Sequence, residues 1–131
     1  MAAVSPTILV VDDDATLRAA LESVLGGLGY RVLATGRAES AYEMLESQSA
    51  DAAFLDVRLP DMSGLALYHA LIHRHPHLDG RIAIMSGDVD AEDVRGWLAA
   101  QQCAAFHKPF RPQPVIEWLE AVLRSRERMV S

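Results

Sequence analysis

The feature that most restricts what this chain can fold into is a repeated alternation: a short apolar run, then a stretch with apolar residues at helical spacing, then another run. Ile8-Leu9-Val10-Val11 is unbroken and partly β-branched, as a strand buried on both faces requires. Leu17, Leu21, Val24, Leu25 and Leu28 follow at helical spacing, with Gly26, Gly27 and Gly29 available to stop the helix. Arg31 to Thr35 predicts a second strand, and Ala38, Ala41, Tyr42 and Leu45 a second helix. Ala52-Ala53-Phe54-Leu55 forms the third run and ends on Asp56. Leu65, Tyr68 and Ile72 then define a third helix, which must stop near His75 because Pro76 disfavours helical geometry in the residue before it. Ile82-Ala83-Ile84-Met85 and Cys103 to Phe106 predict the fourth and fifth strands, separated by a helix carrying Val94, Trp97, Leu98 and Gln101. Pro112 and Pro114 introduce a last helix whose inner stripe is Val115, Ile116, Leu119, Val122 and Leu123.

Strands joined by helices imply a parallel sheet covered on both faces, with right-handed crossovers. The predicted architecture is therefore an α/β, three-layer (βα)5 sandwich with a five-stranded parallel sheet in the flavodoxin-like order 2-1-3-4-5. At 131 residues, half of them apolar, the chain suits one domain that buries its core without disulfides. Cys103 is the single cysteine, which excludes an intrachain disulfide and a thiolate metal cluster. A net charge of -6 argues against nucleic acid or an anionic membrane as a partner. The first residues lack a signal peptide's basic and apolar regions, and no apolar run reaches membrane-spanning length, so a cytoplasmic location is expected.

In such sheets the functional crevice lies beyond the carboxyl ends of the strands. The first, third, fourth and fifth strands end on Asp12-Asp13, Asp56, Ser86 and Lys108, so four strands aim polar groups at one small volume. Two carboxylates about 4 Å apart repel by roughly 4 kcal/mol at an effective dielectric of about 20, and three of them call for a cation. Carboxylate oxygens without His or Cys favour Mg²⁺ or Mn²⁺, and Mg²⁺ keeps positions open for phosphate oxygens. Lys108 adds a positive charge and Ser86 a hydroxyl donor. Together these groups describe an aspartate that accepts a phosphoryl group.

From Ile8 to about Leu123 the sequence resembles the receiver domain of two-component response regulators. The resemblance rests on Ile8-Leu9-Val10-Val11-Asp12-Asp13, Leu55-Asp56 with Leu59-Pro60 and Gly64, Met85-Ser86-Gly87, and Lys108-Pro109-Phe110. Each piece is weak alone; their order and spacing together are specific. The resemblance implies a receiver domain over residues 7–125, flanked by tails at 1–6 and 126–131. It implies phosphorylation of Asp56 by a histidine kinase or histidine phosphotransfer protein, with Mg²⁺ held by Asp12, Asp13, Asp56 and the carbonyl of Arg58. Ser86 would be the switch hydroxyl and Lys108 the phosphate-binding cation, and the Lys108–Pro109 bond would be cis. The family further implies slow self-dephosphorylation rather than enzyme turnover, tuned by Arg58 and Asp88. A downstream protein partner would bind through the fourth helix, fifth strand and fifth helix, and homodimerisation is a further option.

Receivers usually carry Tyr or Phe three residues before the lysine, where this chain has Ala105. Either the loop is one residue shorter and Phe106 replaces that aromatic, or Phe106 points into the core; strand alternation makes the two exclusive, and the second is favoured. A charge-assisted hydrogen bond from Ser86 contributes about 1.5 to 3 kcal/mol, whereas converting a 1:99 population to 99:1 takes about 5.5 kcal/mol, so a partial conformational response is expected. Two alternatives stand beside the phosphoacceptor reading: a receiver-like interaction module not regulated by phosphorylation, and a receiver excised from a hybrid histidine kinase, whose receivers the Met85-Ser86-Gly87-Asp88 and Lys108-Pro109-Phe110 segments also resemble. The few residues after Leu123 leave no room for an output domain in this sequence. His69 and His73 are four apart, as metal ligands can be, and His75 and His77 follow, but no third ligand stands at a fixed spacing, so a solvated helix end is expected; Gly26-Gly27-Leu28-Gly29 follows a helix rather than a strand, so it reads as a C-cap.

Overall fold

The structure is a computed structural model that describes residues 5–87 and 91–130, with side chains up to residue 124. Strands β1 (Thr7–Val11), β2 (Arg31–Thr35), β3 (Ala52–Asp56), β4 (Ile82–Ser86) and β5 (Ala104–His107) alternate with helices α1 (Ala15–Gly27), α2 (Ala38–Ser47), α3 (Gly64–Arg74), α4 (Glu92–Gln101) and α5 (Pro112–Val130). All pairings are parallel and the sheet order is β2-β1-β3-β4-β5, as the alternation predicts.

Successive strand side chains point to opposite faces, which divides the core in two. Leu9, Val11, Ala53, Leu55 and Ile84 pack with Ala41 and Leu45 of α2, Leu67 and Leu71 of α3, and Val94 of α4. Ile8, Val10, Phe54 and Met85 pack instead with Leu21 and Leu25 of α1 and Val115 and Leu119 of α5. Because both faces are covered, β1, β3 and β4 are buried along their whole length, and unbroken apolar runs are what such strands need.

Helix ends follow local chemistry. Asp14 caps α1, its carboxylate accepting from the N–H groups of Thr16 at 2.9 Å and Leu17 at 3.3 Å. At the other end Gly29 takes a φ of 96°, while Gly29 N–H donates to the carbonyl of Gly26 and Tyr30 N–H to that of Leu25. That is a Schellman closure, and it confirms the glycine run as a C-cap. Helix α3 ends at Arg74, and Pro76–Leu78 continue as a 3-10 turn. The fifth strand starts one residue later than its apolar pattern predicts. Gln102 ends α4 in the left-handed region, with a φ of 54°, so Cys103 is spent on the turn into the strand.

Phe106 lies within the α1/α5 side of the core, its ring 6.3 Å from Phe54 and 6.2 Å from Trp118. Ala105 is exposed on the opposite face. The aromatic is therefore a core residue, and the position three residues before Lys108 carries only a methyl group.

Candidate functional site

Strand register brings the polar ends level. Val11 pairs with Leu55, Asp56 with Met85, and Ser86 with His107, so the residues that end β1, β3, β4 and β5 meet along one rim. Asp12, Asp13 and Asp56 each offer a carboxylate oxygen, and these oxygens lie within 4.8 Å of one another. Asp12 is fully buried and Asp13 is exposed, so the cluster spans from the sheet's end to solvent.

Each group is held by backbone geometry. Oδ1 of Asp12 accepts from the Asp14 N–H at 2.9 Å, which leaves Oδ2 facing the pocket. Asp56 closes β3 and accepts a long 3.4 Å bond from the Arg58 N–H. Lys108 follows β5: its N–H donates to the Ser86 carbonyl at 2.7 Å, and its bond to Pro109 is cis. The ammonium reaches back to Oδ2 of Asp12 at 2.5 Å and Oδ1 of Asp56 at 3.4 Å. Ser86 is buried at the end of β4. Arg58 sits in the turn after β3 and bridges to Ser63, with its N–H toward the Asp56 carboxylate. Gly64 lets α3 begin against the end of β3: its N–H donates to the Val57 carbonyl at 2.7 Å, and a Cβ there would fall on the Asp56 carbonyl oxygen.

Charge is not balanced within this cluster. Burial, and then the neighbouring Asp12 charge, push the Asp56 carboxyl up to about 6, against the opposing pull of Lys108. Burial disfavours the Lys108 charge, yet its contacts with Asp12 and Asp56 outweigh that and raise its pKa. One ammonium among three carboxylates leaves net negative charge in the site. Oδ2 of Asp12 is buried and paired with the Lys108 ammonium. An all-oxygen donor set whose three carboxylates exceed the charge of that one ammonium fits a hard divalent cation such as Mg²⁺.

The histidines stand on a largely solvated helix end, as expected, with His69, His73 and His77 exposed. His69 accepts a 3.0 Å hydrogen bond from the Trp97 indole of α4, and both rings contact Tyr68. His75 is half-buried, and His77 meets the Ala50 carbonyl at 2.8 Å. These contacts add local order to a solvated end of α3. Asp88 lies outside the described residues.

Asp61 was not singled out by its local sequence. Its two carboxylate oxygens accept from the N–H groups of Ala38 at 3.0 Å and Glu39 at 2.9 Å, so the turn after β3 caps α2 from a distance. These bonds hold the Asp61 carboxyl below its ordinary pKa. One signal was present: Arg37, at the N-cap of α2, makes no capping bond of its own, so the helix must find an acceptor elsewhere.

A family model described as the response regulator receiver domain matches residues 8–120. Among curated relatives, the probable transcriptional regulatory protein TcrX of Mycobacterium tuberculosis is 34% identical over 90% of this chain and 50% of its own length. The DNA-binding transcriptional regulator NtrC of Escherichia coli is 33% identical over 88% of this chain and 24% of its own. The chain thus spans half or less of these relatives. Of solved structures, a CheY-like receiver domain protein from Methanospirillum hungatei superposes with a TM-score of 0.87 at 23% identity, covering 96% of this chain and 99% of that one.

Proposed function

Because the chain belongs to the response regulator receiver domain family of two-component signalling, we propose that Asp56 is its phosphoacceptor. Under this reading Asp12, Asp13 and Asp56, with the Arg58 carbonyl, hold Mg²⁺, while Lys108 binds phosphate oxygens and Ser86 is the switch hydroxyl. The observation that carries it is the meeting of three carboxylates with the Lys108 ammonium at one rim.

The donor is a phosphohistidine on a histidine kinase or phosphotransfer protein. An ionised Asp56 oxygen attacks phosphorus, an O–P bond forms, and the N–P bond breaks with its electron pair leaving on the imidazole. With a pKa of about 6, Asp56 is largely ionised at neutral pH and able to attack. Mg²⁺, when bound, neutralises the carboxylates and the phosphoryl oxygens. Lys108, 3.4 Å from Asp56, is placed to shift from carboxylate to phosphoryl oxygen as charge moves outward. Hydrolysis of the acyl phosphate is slow and resets the site. The receiver unit is taken as residues 7–125, and its readout runs through α4, β5 and α5 to a downstream protein or a second copy.

Incubation with a small-molecule phosphodonor and Mg²⁺, followed by intact mass spectrometry, should add one phosphoryl group that Asp56→Asn cannot take. Unmodified protein under conditions where Mg²⁺ binds would instead favour an interaction module indifferent to phosphorylation.

A further inference from the structure

The two acidic residues that follow β1 are joined by one peptide unit, and a side chain from another element grips it. Arg18, one turn into α1, donates from Nη1 to the Asp12 carbonyl at 2.7 Å. That carbonyl belongs to the peptide linking Asp12 to Asp13. Its plane sets how the two carboxylates stand relative to each other. Asp12 has other ties: its N–H donates to the Thr35 carbonyl at 3.0 Å, Oδ1 accepts from the Asp14 N–H at 2.9 Å, and the Lys108 ammonium pairs with Oδ2. Among the described residues, Lys108 holds the Asp12 carboxylate, whereas Arg18 is the side chain that holds its carbonyl.

The turn after β2 is shaped around this guanidinium. A Cβ added at Gly36 would lie 2.8 Å from Arg18 Nη1 and 3.5 Å from the Asp13 Cα. Gly36 is not in a left-handed conformation, so it is not needed for backbone reasons. What its missing side chain leaves is room for Arg18 beside the Asp12–Asp13 peptide.

We propose that Arg18 is a positioning residue for the cation site: seated against Gly36, it fixes the Asp12–Asp13 peptide so that both carboxylates face the same ion. The inference rests on the metal reading given above. It also makes a prediction of unusual sign. A positive charge near a cation site disfavours the cation, so if Arg18 acted only through its charge, removing it would tighten binding. If it acts by orienting the ligands, removing it weakens binding, and outer-shell partners of metal ligands typically contribute about 10-fold in affinity.

The test measures Mn²⁺ binding to the metal-free protein by loss of the free-ion EPR signal, with urea unfolding in parallel. Arg18→Met removes donor and charge together. Gly36→Ala keeps the charge and displaces the flexible end of Arg18 at little cost to the fold. Both variants should bind Mn²⁺ about 10-fold more weakly than wild type, with urea midpoints close to it. Tighter or unchanged binding in Arg18→Met, or unchanged binding in Gly36→Ala, overturns the proposal. A wild-type protein that binds no Mn²⁺ brings down the metal reading itself, and the inference with it.

Discussion

Neutralising Asp56 should stabilise the metal-free protein, and only above the acid range. The folded-state pKa of about 6 lies above the ordinary carboxyl value of 3.8, so the folded form holds its proton more tightly than the unfolded chain. This group's contribution is therefore fully present below pH 3.8 and is lost as pH rises through about 6. At about 1.36 kcal/mol per pKa unit, the interval corresponds to about 3 kcal/mol. The site opens to water along Lys108, whose side chain is 23% exposed, and screening brings the expected value to about 1 to 2 kcal/mol. The assay is urea unfolding in EDTA from pH 4 to 8 for wild type and Asp56→Asn. The two should diverge through that range until Asn is the more stable by that amount, and Mg²⁺ should then stabilise wild type more than the variant. Parallel curves across the whole range would refute the claim that crowded carboxylates destabilise the empty site.

Three further outcomes follow from named contacts. Gly64→Ala would drive a Cβ into the Asp56 carbonyl and should cost about 1 to 3 kcal/mol in urea unfolding, while slowing phosphoryl uptake because β3 must shift. Asp61→Ala should lower the unfolding midpoint and speed hydrogen exchange at the amides of Ala38 and Glu39, which it caps; Asp61→Asn should retain part of the protection. Trp97→Phe keeps the ring against Tyr68 but loses the bond to His69. It should cost about 0.5 kcal/mol, with exchange rising in α4 more than in the sheet.

The element order, the layering and the polar strand ends were determined by the sequence, because buried parallel strands and amphipathic helices leave period and run length visible in one dimension. The same holds for Asp12, Asp13, Asp56, Ser86 and Lys108, each of which stands where an apolar run stops. Strand alternation also limited Phe106 to two positions, but only packing against Phe54 and Trp118 decided that it faces the core. Capping of α2 by Asp61, the Trp97–His69 bond and the grip of Arg18 on the Asp12 carbonyl were decided by tertiary structure alone. Each joins side chains or backbone across separate elements, or across a turn whose course no periodic pattern records. Their energies come from distances that exist only once the layers have closed on the sheet.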